Sequence, residues 1–233
     1  MSSRAIVEER LSSYPENHLL FASKLYSEAF AKEMSEAAYY KTLQRLCNQR
    51  AIAKIAKGIY CKPLQTRFGE VLPSETQIVD EFTKNATGMV VGYAMYNTLN
   101  LTTQVPKNIE VYSSVIDEQQ KQVGRVSLKK QSLIFDDRMV KAVQMLEVLQ
   151  NYDTIQDMNE NSFLRFCKKY SETYNEDACE AALSSIRYSK RTIAFLHSVL
   201  NYHNVENSLN RFLSPFSKYQ IPSMEELYEA SRI

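Results

Sequence analysis

The chain has 233 residues, with 28 Lys and Arg against 27 Asp and Glu and a formal net charge of +1. That length holds one large domain or two small ones, and no apolar run reaches the roughly 18 residues that a membrane span needs. Four scattered cysteines without a C-x-x-C pair (Cys47, Cys61, Cys167, Cys179), three histidines and an N-terminus M-S-S-R-A-I-V-E-E-R-L without an apolar stretch point to a cytoplasmic protein with reduced thiols, no zinc and no signal peptide.

The balanced total hides an uneven distribution. Residues 1–68 hold 11 Lys and Arg against 6 Asp and Glu, a net of +5, which leaves −4 for residues 69–233. No acidic residue occurs between Glu36 and Glu70, a stretch containing Lys41, Arg45, Arg50, Lys54, Lys57, Lys62 and Arg67. A local excess of one sign is the electrostatic footprint of a polyanion partner. A solvated face with its acidic partners elsewhere in the fold is the alternative.

In chain order, Leu19–Phe21 is a short apolar run, and Ser23 is placed to cap a helix through about Ala31. Ser35 can cap a second helix through about Gln49, on which Tyr39, Leu43, Leu46 and Cys47 share one side. At 100° per residue the opposite side centres on Ala37, Lys41, Gln44 and Asn48, flanked by Tyr40 and Arg45. Ile52 and Ile55, a turn at Ala56-Lys57-Gly58, then Ile59 and Tyr60 predict a hairpin, with Gly58 supplying the positive φ of a tight turn. Helix, turn, amphipathic helix and hairpin is the order of a winged helix-turn-helix. In that frame Lys and Arg can bond guanine O6/N7, Gln and Asn can bond adenine N6/N7, and Lys54 and Lys57 can reach phosphates. The expected DNA-binding residues are Ser35, Ala37, Tyr40, Lys41, Gln44, Arg45, Asn48, Lys54 and Lys57.

Pro63 and Pro73 flank a candidate boundary. Residues 69–150 mix helix with β-rich runs at 108–116 and 122–128, and a helix is expected over 138–150 with Asp136-Asp137 at its start. Residues 151–233 read as helices, with Phe163, Phe166, Cys167 and Tyr170 on one stripe and Ile193, Leu196, His197 and Leu200 on another. Stripes this broad must be covered, and the preceding domain is the nearest candidate, ahead of a second copy or another protein. Pro222 and Ser223 can start a last helix, over 221–233, with an apolar edge of Met224, Leu227 and Tyr228. The expected class is therefore α+β: a winged helix-turn-helix over 1–68, a small α/β domain over 69–150, and a helical extension over 151–233 that packs on it.

The stretch 35–63 resembles the winged-helix signature of the AbiEi-type antitoxins of type IV toxin–antitoxin systems, through Leu43, Arg45, Leu46, Lys57, Gly58, Tyr60 and Pro63. F-G-E-V-L-P-S at 68–74, G-Y-A-M-Y-N-T-L-N-L-T-T-Q-V-P at 92–106 and a strand pair around 110–113 and 123–128 extend the likeness over about residues 19–147. Asn100 and Arg50 stand where the family usually carries Gly. Asn tolerates the left-handed conformation, whereas Arg50 departs further. The resemblance implies a cytoplasmic DNA-binding repressor of its own operon, acting on double-stranded operator DNA expected as inverted repeats. It further implies an antitoxin-type domain that counters a nucleotidyltransferase toxin, with or without direct contact.

An enzyme is the main competing class. No Gly-rich phosphate loop, G-x-S-x-G or H-E-x-x-H occurs, and five glycines leave little material for a backbone phosphate cradle. Asp136-Asp137 reads as an acidic first turn rather than a Mg²⁺ site, His197 as a satisfied histidine on an apolar stripe, and Thr102–Pro106 as a loop-shaping segment. No enzyme activity, cofactor or metal is expected. The other alternative is a winged-helix protein-interaction module or a transcriptional regulator unrelated to a toxin.

Overall fold

The computed structural model describes residues 3–231, with side chains from Ala5 to Ser231. The chain is α+β, with small sheets among the helices. Contacts divide it into two compact units, residues 1–81 with 122–126, and residues 82–121 with 127–233. The sequence boundaries at 68/69 and 150/151 are not where contacts thin out. The 64–74 segment stays with the first unit, and residues 151–233 share a unit with most of 82–150.

The first unit opens with α1 (Ser3–Ser12), a helix with no strong sequence signal. Val7 and Leu11, one turn apart, are its buried positions. Strand β1 (Leu19–Phe21) leads into α2 (Ala22–Leu25), which continues as a π-helical turn, Tyr26–Phe30, to a C-cap at Ala31. The cap expected at Ser23 is two residues too late. Phe21 occupies the N-cap position without a side-chain bond, because the chain passes directly from strand to helix. Next, α3 (Glu36–Asn48) starts at Ser35, whose Oγ accepts from the Ala38 N–H at 3.4 Å.

Strands β2 (Ala53–Ala56) and β3 (Ile59–Cys61) form the expected hairpin, turning at Lys57-Gly58 with φ +72° at Gly58. β1 pairs antiparallel with the other edge of β3, Leu20 opposite Tyr60, so the sheet order is β1-β3-β2. Tyr39, Leu43 and Leu46 meet Val7, Leu11, Leu20, Leu25, Phe30 and Ile52 in one core. A second hairpin, β4 (Leu64–Thr66) and β5 (Gly69–Val71), follows in the stretch between Pro63 and Pro73 where the sequence suggested a boundary. Ser74 and Gln77 then form a reciprocal capping box that starts α4 (Glu75–Thr83).

In the second unit β6 (Gly88–Val91) runs into α5 (Gly92–Thr98). Strands β7 (Ile109–Ser113), β8 (Gln120–Val123) and β9 (Val126–Lys130) complete a four-stranded sheet of order β6-β7-β9-β8. The run 122–128 is therefore not one strand: it bends at Gly124-Arg125, with φ +57° at Gly124.

Asp136 Oδ1 caps α6 (Asp137–Gln150) by accepting from the Met139 N–H at 2.8 Å. Helices α7 (Glu160–Glu172), α8 (Glu176–Ser185) and α9 (Lys190–Tyr202) start at the side-chain caps Asn159, Asn175 and Ser189. Phe163, Cys167, Tyr170, Ile193, Leu196 and Leu200 are all buried in one core with Met145, Leu146 and Leu149 of α6. The last helix, α10 (Met224–Ser231), buries Met224 in that core and donates from Tyr228 Oη to the Leu164 carbonyl at 3.2 Å. The expected end of this helix at Ile233 lies outside the described residues. No helix among the described residues is long and apolar enough to cross a membrane.

A buried carboxyl ties this core to the sheet. Glu147 of α6 is 8% exposed, and its Oε1 accepts from Tyr112 Oη and Tyr188 Oη, both at 2.9 Å. Burial pushes its carboxyl above the ordinary 4.5, and the two tyrosines and Lys129 pull it part of the way back. A raised folded value means that the fold favours the protonated form more than the unfolded chain does. Stability from this group is then greatest below 4.5 and falls as pH rises through the raised value. Glu147→Gln keeps an acceptor oxygen for the tyrosines and removes that dependence. Glu147 lines a cavity of about 190 Å³ together with Gly92, Tyr96 and Asn151. We expect a higher melting temperature at pH 7 and a flatter profile between pH 4 and 7. A lower melting temperature at pH 7 would mean that the ionised form is required.

Candidate nucleic-acid interface

Helix α3 exists because Ser35 caps it and because one side of it is apolar at helical spacing. Tyr39, Leu43 and Leu46 are buried at 0–2% exposure, and Cys47 is half-buried. Tyr39 lies at the centre, with the rings of Phe30, Tyr26 and Tyr40 at 5.2–5.4 Å. That burial leaves the other face outward. Ala37, Lys41, Gln44, Arg45 and Asn48 are all exposed, with Tyr40 half-buried beside them. Ser35 is exposed too, but its Oγ is occupied as the cap.

The helix ends in a Schellman motif. Arg50 is left-handed at φ +60°, its N–H bonds the Cys47 carbonyl at 2.9 Å, and the Ala51 N–H bonds the Leu46 carbonyl at 3.0 Å. A left-handed conformation costs a non-glycine residue roughly 1–2 kcal/mol, so Arg50 keeps an exposed cation at the helix end at the expense of stability. Asn100 occupies the same left-handed position after α5, at φ +57°.

The hairpin places Lys54 directly opposite Tyr60 and Lys57 in the turn, both exposed. Tyr60 and Cys47 pack on the same core as α3; partial burial pushes the half-buried Cys47 thiol up, and the Lys54 ammonium offsets part of that rise. Hairpin and helix end are thus neighbours. Seven side chains from Ala37 to Lys57, six of them hydrogen-bonding types or cations, are presented by two adjoining elements. The chemistry available is hydrogen bonding, with the cations Lys41 and Arg45 on α3 and Lys54 and Lys57 on the hairpin, and no catalytic acid, base or nucleophile among them.

The sequence did not anticipate Arg67 and Phe68 at the tip of the second hairpin, where the guanidinium lies 4.6 Å from the ring centroid and Phe68 is 87% exposed. The available signal was Phe68-Gly69 after a short polar run. In the second unit, Thr102–Pro106 shapes a loop: Thr102 Oγ1 donates to the Gln156 carbonyl at 2.7 Å, and Asn97 Nδ2 donates to the Gln104 carbonyl at 2.8 Å. His197 is half-buried beside Asn201 Nδ2 at 3.1–3.3 Å, and burial lowers its pKa. Among the described residues no group of three or more His, Cys, Asp or Glu is placed to hold a metal ion.

No curated protein sequence matches the chain. Among solved structures it is similar to the RV2827C protein from Mycobacterium tuberculosis, at 10% identity and a TM-score of 0.41 over 86% of this chain and 77% of that one. Residues 6–174 match a family of unknown function, DUF6088, and since that is well over half of its length the chain belongs to the DUF6088 family.

Proposed function

We propose that the first unit is a winged helix-turn-helix that binds double-stranded DNA, with α3 as the recognition helix and β2–β3 as the wing. One observation carries the reading: the outward face of α3 and the adjoining hairpin expose Lys41, Gln44, Arg45, Asn48, Lys54 and Lys57 within an acid-free stretch. A helix fits the major groove, its Lys, Arg, Gln and Asn match base edges there, and wing lysines match phosphates. The protein then acts as a repressor of its own operon. The resemblance of residues 19–147 to AbiEi-type antitoxins supports a second role, countering a nucleotidyltransferase toxin through the region after the winged helix. An electrophoretic shift with the DNA upstream of the protein's own reading frame tests the first role. Retarded DNA that resists unlabelled competitor of unrelated sequence supports the repressor. Equal competition by any DNA would oppose it.

The wing makes a separate expectation. Lys54→Ala and Lys57→Ala should weaken binding to all sequences alike, and each lost phosphate contact should lower the log–log salt slope by about 0.9. A loss of affinity with an unchanged slope would point to a disturbed hairpin instead of a missing contact.

A further inference from the structure

The second hairpin is a sheet of two three-residue strands, and every residue from Leu64 to Leu72 is exposed. Among the described residues no other strand pairs with either of its edges. Leu64 and Val71 stand opposite each other, hence on one face, at 37% and 44% exposure. Phe68 in the turn is 87% exposed and Leu72 is 48% exposed. A lone apolar side chain in water needs no explanation, but four on one ribbon mark a contact surface. A two-stranded ribbon of this length is also marginal without further strands.

Charge selects the occupant. Arg67 and Glu70 are the only charged residues between Leu64 and Leu72, so the ribbon is neutral. Glu70 in the middle of β5 and the four apolar side chains suit a polyanion poorly. A surface that meets its own copy across a two-fold must be self-complementary, because the residue on the axis faces itself. On the β5 edge that residue is Glu70, and two carboxylates would be opposed. On the β4 edge it is Gln65, whose amide is both donor and acceptor and therefore complements a second Gln65. The ladder agrees. Thr66 and Gly69 pair across the turn, so at the next position the peptide N–H and C=O of Gln65 turn outward.

We propose that this hairpin is where two copies of the chain join, β4 against β4, antiparallel, across a two-fold at Gln65. The product is a four-stranded sheet with Leu64 of each copy opposite Thr66 of the other, and with the Leu64/Val71 pairs of both copies on one face. The contact does not depend on DNA binding, and its test is run without DNA.

Sedimentation velocity on the full chain, at low ionic strength and over a concentration series, reads the outcome. The wild type is expected to pass from one chain to two as concentration rises. Gln65→Lys and Gln65→Glu each set like charges face to face. Each should remain at one chain at the concentration where half of the wild type is paired, and Gln65→Lys, which stands opposite Glu70 in its own hairpin, should do so without a fall in melting temperature. An equimolar mixture of the two variants should recover a species of two chains. A wild type that stays at one chain throughout overturns the proposal. So do single variants that pair as well as the wild type, and so does a mixture that fails to pair.

Discussion

Lys41→Ala and Gln44→Ala are each expected to cost about 5- to 150-fold in affinity for the operator, with far smaller losses on unrelated DNA. The figure follows from the discrimination of a bidentate base contact, about 1–3 kcal/mol. The two residues are three apart on the exposed face of α3, so they are neighbours whose effects couple, and the double variant need not lose the sum. Neither side chain contributes to the core, so the melting temperature should not move. Footprinting separates the possibilities. Loss of protection at the centre of the site with retained weak binding to any DNA fits base readout. An unchanged affinity and footprint for the double variant would sink the assignment of α3 to the groove.

The largest stability effect is expected at Tyr39. It is fully buried under α3, and its ring meets those of Tyr26, Phe30 and Tyr40. Tyr39→Ala should destabilise the first unit by about 3–5 kcal/mol, as for other large aromatic truncations, and should abolish specific DNA binding through loss of the helix. The second unit has its own core, so a thermal scan should resolve an early transition beside a preserved late one. Tyr39→Phe tests the same site with the opposite sign. The Tyr39 hydroxyl is buried without a hydrogen-bond partner. Deleting it should remove a desolvation cost of about 1–3 kcal/mol while the packing stays. The early transition should move up, and DNA binding should be unaffected. A fall on Tyr39→Phe would mean that the hydroxyl has a partner in solution.

Several elements are set by contacts that a local pattern cannot carry. Ser23 has the right chemistry for a cap, but β1 hands over directly to the helix at Phe21, two residues earlier. The run at 122–128 alternates like a strand across a Gly that turns it back. The hairpin at 64–71 has no apolar alternation to betray it, because neither of its faces meets the core. Glu147 occurs in an ordinary-looking helical stretch, and nothing nearby in sequence announces that Tyr112 and Tyr188 will converge on it.

What the sequence determined by itself is what depends on neighbours within a turn or two: the Ser35 cap, the buried side of α3, the Gly58 turn, the Asp136 cap, and the left-handed Asn100. Each is decided by periodicity, by a side-chain oxygen two or three residues from an orphan N–H, or by a φ that only certain residues accept. The tertiary structure alone decided how α6 to α10 share one core, which tyrosines hold Glu147, and that Leu64, Phe68, Val71 and Leu72 are left in water. Those outcomes depend on residues tens of positions apart in the chain. Apolar burial is non-directional, so a sequence states that such side chains must be covered but not by what.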